Sequence, residues 1–346
     1  MSKRLLLFTF IASTIAPGIT ATLHFSIYIA SLSLLLALPV VLLTYFSVKT
    51  EWEEQGLYVY AKKAGFALST TFLITWLASY YLYVIYTAIY IPYYVLNLDG
   101  IIPVFLSLVI AVSAFLLVTF TNPLYAFPVI FLVQIVFSLP IGWKIGLSST
   151  PTNVTSLFID ILSSSLVVVC ITLSTFVKGD REKDSPFILY SFLIFAIILL
   201  YGSFLVPSPI TVVASSFGNY GLILAELTAI NNLLRPMVKR RTLLALNSAI
   251  IPLTLIGNIN YSVFYNSLIV PSVAFLYISL FIFAISTLVF LRGVKRALPI
   301  ISALLFAYGE YNVIRGSTGY LFYEALLSFL TSITILVVLY RKNRIK

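Results

Sequence analysis

The segment Ser13–Ile19, with the sequence STIAPGI, lies in the middle of the first apolar stretch of the chain, Leu5–Leu23. Proline lacks a backbone N–H and clashes with the preceding helical turn, while the glycine beside it adopts dihedral angles that other residues avoid. Pro17 and Gly18 therefore predict a break or a sharp kink in a helix. Non-helical backbone inside a membrane persists only where protein or a water-filled cavity satisfies it. A simple proline kink is the alternative to a functional break.

The composition of the whole chain places it in a membrane. Of its 346 residues, 61% are hydrophobic and 9% are charged, and the mean hydropathy is +1.07. Soluble domains carry about 25% charged residues and disordered chains have low hydrophobicity, so both classes are excluded. A single histidine, His24, and a single cysteine, Cys170, exclude a multi-histidine metal site, a cysteine cluster and an intrachain disulfide. We expect no cofactor.

A membrane-spanning helix needs about 20 mostly apolar residues, and the chain contains twelve such stretches, of which the ninth and eleventh are the weakest. The sequence therefore predicts an all-α polytopic membrane protein with about 12 transmembrane helices, and a count of ten or eleven is the alternative. The stretches are Leu5–Leu23, Ser26–Phe46, Ala67–Leu96, Ile101–Thr121, Pro123–Trp143, Ser156–Val177, Pro186–Val206, Val212–Leu234, Thr242–Ile259, Leu268–Leu291, Ala297–Ile314 and Tyr320–Tyr340.

The distribution of basic residues supports this count. Cytoplasmic loops of membrane proteins are enriched in Lys and Arg, and strict alternation of twelve spans puts 19 of the 21 basic residues on one side. Only Lys144 and Arg315 fall on the other side. The net charge of +10 thus reports topology and not a nucleic-acid partner. We expect a multi-pass protein of the cell membrane with cytoplasmic N- and C-termini. A cleaved signal peptide is the alternative reading of Lys3 and Arg4 with the first apolar stretch. Specific binding of anionic headgroups is the alternative explanation for the basic clusters.

The eighth span carries an ionisable residue near its middle, Glu226, and Thr228 follows it. A carboxyl group at that depth is costly and usually faces a cavity or a partner, so Glu226 is a candidate coupling residue that exchanges a proton. A neutral glutamic acid hydrogen-bonded between helices is the alternative. Glu310 and Glu324 fall near the other membrane surface, where we expect water to solvate them.

The sixth span contains a second group of polar residues. Asp160 lies near its outer end, and Ser163, Ser164 and Ser165 follow near mid-membrane. The serines are candidate substrate-binding residues and Asp160 is a candidate for ion coupling. A small-residue helix interface is the alternative reading of the serines, and simple contact with water is the alternative for Asp160.

Three stretches in the first third of the chain occur in an order that is typical of a known family. They are the break at Ala16–Gly18, the segment Gly56–Gly65 (GLYVYAKKAG) after the second span, and the aromatic third span around Trp76–Pro92. Within the third span Tyr83, Tyr86 and Tyr90 share one helix face. This series resembles the amino acid–polyamine–organocation (APC) permeases, and the layout of the remaining spans is similar to that family.

The resemblance implies a five-plus-five inverted repeat of the LeuT type, with residues 1–143 and 156–291 as the repeats and 297–340 as two added helices. It also implies a substrate between broken helices one and six, with its carboxylate on the freed amides of helix one. Sodium-coupled relatives use a Ser or Thr of helix eight, for which Thr228 is the candidate; proton-coupled relatives use a basic residue in helix five, and Pro123–Trp143 has none. The implied substrate-binding residues are Ser13, Ala16, Pro17, Gly18, Ile19, Tyr86, Ser163, Ser164 and Ser165.

The sequence therefore predicts a secondary transporter of amino acids or related small organic ions that works by alternating access within the lipid bilayer. The coupling ion, a proton through Glu226 or sodium through Thr228, is left open. A non-transporting membrane scaffold or subunit is one alternative. An intramembrane enzyme acting on a lipid-linked substrate is the other, although such enzymes place acidic clusters in loops and the outer loops here hold little charge. No phosphate-binding loop is present, so the chain alone is not an ATP-driven pump.

Overall fold

The computed structural model describes residues 2–139, 144–145, 168–206 and 208–344, and within these ranges the chain is almost entirely helical. The α-helices are α1 (Lys3–Thr14), α2 (Pro17–Thr20), α3 (Ile27–Thr50), α4 (Tyr58–Ala64), α5 (Phe66–Tyr90), α6 (Ile102–Phe120), α7 (Phe127–Ser138), α8 (Pro186–Gly202), α9 (Thr211–Leu234), α10 (Arg240–Gly257), α11 (Tyr261–Thr287), α12 (Ala297–Gly316) and α13 (Tyr320–Arg344).

Short elements connect these helices. A π-helical segment, Ile91–Val95, extends α5, and 3₁₀ segments occur at Pro123–Tyr125, Cys170–Phe176, Asn258–Asn260 and Gly293–Arg296. Two strands of two residues each, β1 (Lys144–Ile145) and β2 (Leu205–Val206), pair antiparallel with Lys144 opposite Val206. This small pairing leaves the described fold an all-α one.

Every predicted span except the sixth coincides with a helix or a pair of helices. The first span is divided into α1 and α2, and the ninth and eleventh, the weakest from sequence, are α10 and α12. Most of the sixth span, Ser156–Val177, lies outside the described residues. Its described end is a 3₁₀ helix at Cys170–Phe176, and a run of that length is unusual because 3₁₀ hydrogen bonds have poor geometry.

Six helical stretches of the described chain are long and apolar enough to cross a membrane. One of them runs over 48 residues, Arg240–Thr287, which as a straight helix would extend about 72 Å. This is more than twice the hydrocarbon thickness of about 30 Å. The 3₁₀ turn at Asn258–Asn260 divides the stretch into α10 and α11, so the stretch is long enough for two crossings.

The helix α9 forms the centre of the bundle. Most of its residues are buried, and it packs against α2, α5 and α7. Contact between backbones is close because small residues lie at the crossing points: a Cβ placed on Gly18 of α2 would lie 1.9 Å from the backbone oxygen of Ala214. The most extensive described contact joins α5 and α11, where Tyr90 stacks on Tyr265 with 5.4 Å between ring centroids.

Several basic residues of the described chain gather on one face of the bundle. We call this the basic face and define it by the start of α1, the end of α3 and the loop Lys178–Ser185. Arg4 Nε donates to Asp184 Oδ1 at 2.9 Å, and Arg181 donates to the backbone oxygen of Thr50 at 3.0 Å. The backbone N–H groups of Lys183 and Glu182 donate to Asp180 and hold the pKa of this carboxyl below its usual range.

The segment Gly56–Gly65 contains a short helix, α4. Its Tyr60 is buried and donates to the backbone oxygens of Ser47, at 2.6 Å, and Glu51. Burial, together with the charge of Glu51, raises the pKa of Tyr60, so the phenol keeps its proton and its donor role. Gly65 joins α4 to α5 with a φ of 138°, which an L-residue with a Cβ rarely adopts.

The close approach of α2 to α9 gives a test of this packing. We expect Gly18→Ala to destabilise the protein, because the added methyl group would overlap the Ala214 backbone and overpacking costs about 1–3 kcal/mol. The melting temperature of the purified protein should fall by several degrees. Gly316→Ala in α12 is the matched control, since a Cβ there meets nothing within 4 Å. Equal melting temperatures for the two variants would contradict the described contact.

Candidate functional site

The break in helix one lies between α1 and α2. Ala16 adopts the left-handed conformation with φ 42° and ψ 67°, which is rare for a residue other than glycine. Pro17 begins α2, where its fixed φ suits the first helical position and its missing N–H leaves no donor unsatisfied. The sequence prediction of a break at Pro17 and Gly18 is therefore confirmed.

The amide groups at the break are bonded within the protein. Ala16 N donates to Ser13 O at 3.0 Å, and Ile19 N donates to Ala16 O at 2.9 Å. Gly18 N donates across to Gln134 Oε1 of α7 at 3.0 Å. The sequence led us to expect these amides to be open to a substrate carboxylate. In the described conformation a side-chain amide oxygen of the protein takes that position instead.

Gln134 is the site residue that sequence reasoning missed. It is fully buried, and its Nε2 has no hydrogen-bond partner among the described residues. A polar side chain alone in an apolar helix such as Phe127–Ser138 was the available signal, because intramembrane polar groups need partners. The predicted span Pro123–Trp143 has no basic residue, and the neutral Gln134 bonds to the break instead.

Small residues of α9 line the other side of the break. A Cβ on Gly218 would lie 3.1 Å from Gln134 Oε1 and from Ile19 N, and one on Gly221 would lie 4.0 Å from Ser13 Cβ. Ser13 is fully buried and its hydroxyl has no hydrogen-bond partner in the described structure. The break, Gln134 and α9 thus form one compact polar site in an apolar bundle.

Glu226 lies on α9 about 7 to 8 Å further along the helix axis than Gly221, toward the basic face. It is fully buried, and neither of its carboxyl oxygens has a hydrogen-bond partner among the described residues. The hydroxyls of Tyr80, Tyr83 and Tyr86 on one face of α5 lie within electrostatic range of this carboxyl. The thiol of Cys170 in the 3₁₀ segment also lies within electrostatic range of the Glu226 carboxyl.

The structure describes two of the remaining predicted site residues, Thr228 and Tyr86, and leaves four outside the described ranges. Thr228 is buried, and its hydroxyl donates to Leu224 O of its own helix at 2.6 Å. Tyr86 is buried and packs edge-to-face on Tyr265 with ring centroids 5.4 Å apart. Four predicted residues lie outside the described part of the chain, namely Asp160, Ser163, Ser164 and Ser165.

The donor set of this site is poor in metal ligands. Within the described ranges no three His, Cys, Asp or Glu side chains gather into a cluster that can hold a metal ion. His24 lies elsewhere, with Nδ1 2.9 Å from Gly202 O. Glu226 and Cys170 contribute one carboxyl and one thiol. The arrangement suits the exchange of a proton and the binding of groups that accept or donate hydrogen bonds.

Glu310 corrects a sequence expectation. Water was expected to solvate it, but its residue is only 5% exposed, and both carboxyl oxygens lack a hydrogen-bond partner among the described residues. It lies in α12 against Tyr277 of α11. The span assignment alone could not show this, because helix packing decides which side of α12 faces protein.

No protein-family model and no curated protein matches the sequence. Among solved structures, two mutants of the manganese transporter of Eremococcus coleocola are similar to the chain at 14% identity. The match has a TM-score of 0.55 and covers 97% of this chain and 91% of that protein. The same transporter in complex with an aromatic bis-isothiourea substituted compound is similar at 13% identity, with a TM-score of 0.54. The chain therefore shares its overall fold with that protein.

The contact between Gly18 and Gln134 predicts a change in amide exchange. Gln134→Met removes the acceptor at similar volume, so the Gly18 amide loses its partner at a cost of about 1–3 kcal/mol. We expect faster hydrogen–deuterium exchange in the peptide that covers the break. Gln55→Met, which changes a half-buried glutamine outside the site, is the control. Unchanged exchange in Gln134→Met would mean that this hydrogen bond does not hold the break.

Proposed function

We propose that this chain is a secondary transporter of amino acids or related small organic ions that works by alternating access. The observation that carries the proposal is the broken first helix. It packs against the helix that holds the buried carboxyl group of Glu226, which has no hydrogen-bond partner among the described residues. Transporters use such breaks near the bilayer midplane to bind charged substrates. We further propose the five-plus-five inverted repeat with two added helices, as the resemblance to APC permeases implies.

In this proposal the described conformation is one with the substrate site closed. Gly18 N is the amide that a substrate carboxylate would use, and Gln134 Oε1 holds it in the absence of substrate. A carboxylate accepts a stronger, charge-assisted hydrogen bond than a neutral amide oxygen does. Substrate binding would therefore displace the Gln134 side chain, whose Nε2 is then free to donate to the same carboxylate.

Glu226 is proposed as the proton-coupling group. An ionised carboxylate without a partner is costly to bury, so Glu226 would enter the closed core with its proton bound. Opening of the basic face would admit water and allow the proton to leave. In this proposal the substrate and the proton move in the same direction, because the protein closes when the substrate is bound and Glu226 is protonated.

Sodium coupling is the second candidate for the driving ion. The Thr228 hydroxyl donates to Leu224 O, which leaves its oxygen lone pairs able to coordinate a cation. Transport of a divalent metal, suggested by the name of the similar structures, has less support because the described residues offer no cluster of metal ligands. The chain is proposed to lie in the cell membrane as a multi-pass protein with both ends cytoplasmic.

The basic face is proposed to act as the gate on one side. Asp184 accepts from Arg4 through Oδ1 and from the backbone N–H of Asp180 through Oδ2, at 2.9 and 3.0 Å. Arg4 also donates to Lys183 O at 2.9 Å. These contacts tie the start of α1 to the loop before α8. Release of this tie would let α1 swing out from the 3₁₀ segment against which it packs.

Uptake measurements test the transport proposal and the role of Glu226 together. In proteoliposomes we expect uptake of a labelled amino acid driven by an inward proton gradient. Glu226→Gln, which keeps the shape but carries no exchangeable acid, should abolish the dependence on that gradient. Glu54→Gln at the exposed basic face is the control. Unchanged gradient-driven uptake in Glu226→Gln would reject the coupling role, and loss of sodium-driven uptake in Thr228→Ala would assign it to Thr228.

The rate at which the single cysteine, Cys170, is labelled tests the gate proposal. Cys170 is buried in the 3₁₀ segment beside α1, so its reaction with a maleimide reports opening. We expect Asp184→Asn to raise the labelling rate by roughly threefold to tenfold, since loss of an ion pair worth about 1 kcal/mol shifts an opening equilibrium by that order. Glu182→Gln is the neighbouring control. Equal rates in both variants would show that the tie at Arg4 does not govern access.

A further inference from the structure

A second cavity lies apart from the site at the helix-one break. It occupies about 570 Å³ between α5, α11, α12 and α13. Its walls are almost entirely apolar, and its mouth carries exposed Phe281, Tyr311 and Ile333 on the outer surface of the bundle. In a chain with this composition that surface faces the lipid, so the cavity opens sideways into the membrane.

One carboxyl group, Glu310, lines this cavity. It is 5% exposed, and neither oxygen has a hydrogen-bond partner in the described part of the chain. The nearby hydroxyls do not supply one: Thr71 donates to Ala67 O at 2.8 Å, and Ser332 donates to Ser328 O at 2.7 Å. The cavity therefore contains an acceptor group that the described protein leaves unsatisfied.

The position of Glu310 is held by close helix packing. A Cβ on the preceding Gly309 would lie 2.4 Å from the ring of Tyr277, so α11 and α12 are in tight contact at this level. Because Gly309 has no side chain, the Tyr277 ring can approach the backbone of α12 at this level. The adjacent Glu310 is buried and lines the cavity.

We propose that this cavity binds an amphiphilic amine from the membrane, with its alkyl body in the apolar walls and its ammonium group on Glu310. An acyl chain alone would fill the space but would leave the carboxyl group unsatisfied, which is costly in an apolar environment. An ammonium donates up to three hydrogen bonds and carries the complementary charge. The volume is that of an ordinary small-molecule site.

The test uses dodecylamine and dodecanol, which share an alkyl chain and differ in the charged donor. Binding is measured by calorimetry on the intact protein in nanodiscs of a zwitterionic phospholipid, with empty nanodiscs to subtract partition into the bilayer. We expect saturable binding of dodecylamine at one site and binding of dodecanol at least about tenfold weaker. Glu310→Gln should reduce the affinity for the amine to that of the alcohol and leave the alcohol unchanged.

Glu324→Gln is the matched control, because it makes the same chemical change on α13 at a residue that does not line the cavity. Ala307→Phe, at a lining position, provides a second variant that should weaken both ligands by obstructing the space, even if Glu310→Gln fails to fold. Equal affinities for the two ligands, no effect of Glu310→Gln, an equal effect of Glu324→Gln, or binding no different from empty nanodiscs would each overturn the proposal.

Discussion

The hydrogen bond from Gly18 N to Gln134 Oε1 is the contact on which the centre of the structure depends. A helix broken inside a membrane leaves amide groups that water cannot reach, and each unsatisfied group is costly. Here the backbone of Ser13 and Ala16 accepts from two of these amides, and one side chain from α7 accepts from the third. Because the last bond crosses between helices, it also fixes where α7 lies against α2.

The same contact sets the composition of α9. The broken segment and Gln134 can meet only if the third partner approaches without a side chain in between. Gly218 and Gly221 provide that space, and the backbone of Ala214 packs directly against Gly18. The helix α9 has small residues on one side, and most of its residues are buried. It therefore has little room for flexible polar side chains. Glu226 is held in this helix without a hydrogen-bond partner among the described residues, so its burial follows from the packing that the helix break requires.

The sequence predicted the helices well and the site only in part. Span positions follow from hydrophobic length, and the break follows from the local chemistry of Pro17 and Gly18, so neither needs tertiary information. The partner of Gly18 is 116 residues away in sequence, and no local pattern indicates that Gln134 meets it. The expectation for Glu310 was wrong for a related reason. Its distance from the helix end suggests that water solvates the carboxyl group, but the contact between Gly309 and Tyr277 determines which way α12 faces. The serines near 163 stay predictions because they lie outside the described residues.

Glu226 and Glu310 are both buried carboxyl groups without a hydrogen-bond partner among the described residues. Their surroundings differ, and this difference separates their proposed roles. Among the described residues, tyrosine hydroxyls and a thiol lie within electrostatic range of Glu226, and the carboxyl group is fully buried in the protein core. This setting fits the proposed exchange of a small ion at Glu226. Around Glu310 the walls are apolar and the space opens to the surface of the bundle, so a whole molecule can enter from the membrane. A buried carboxyl group by itself thus predicts only that something must satisfy it; the shape of the adjoining space decides whether that is a proton or a ligand.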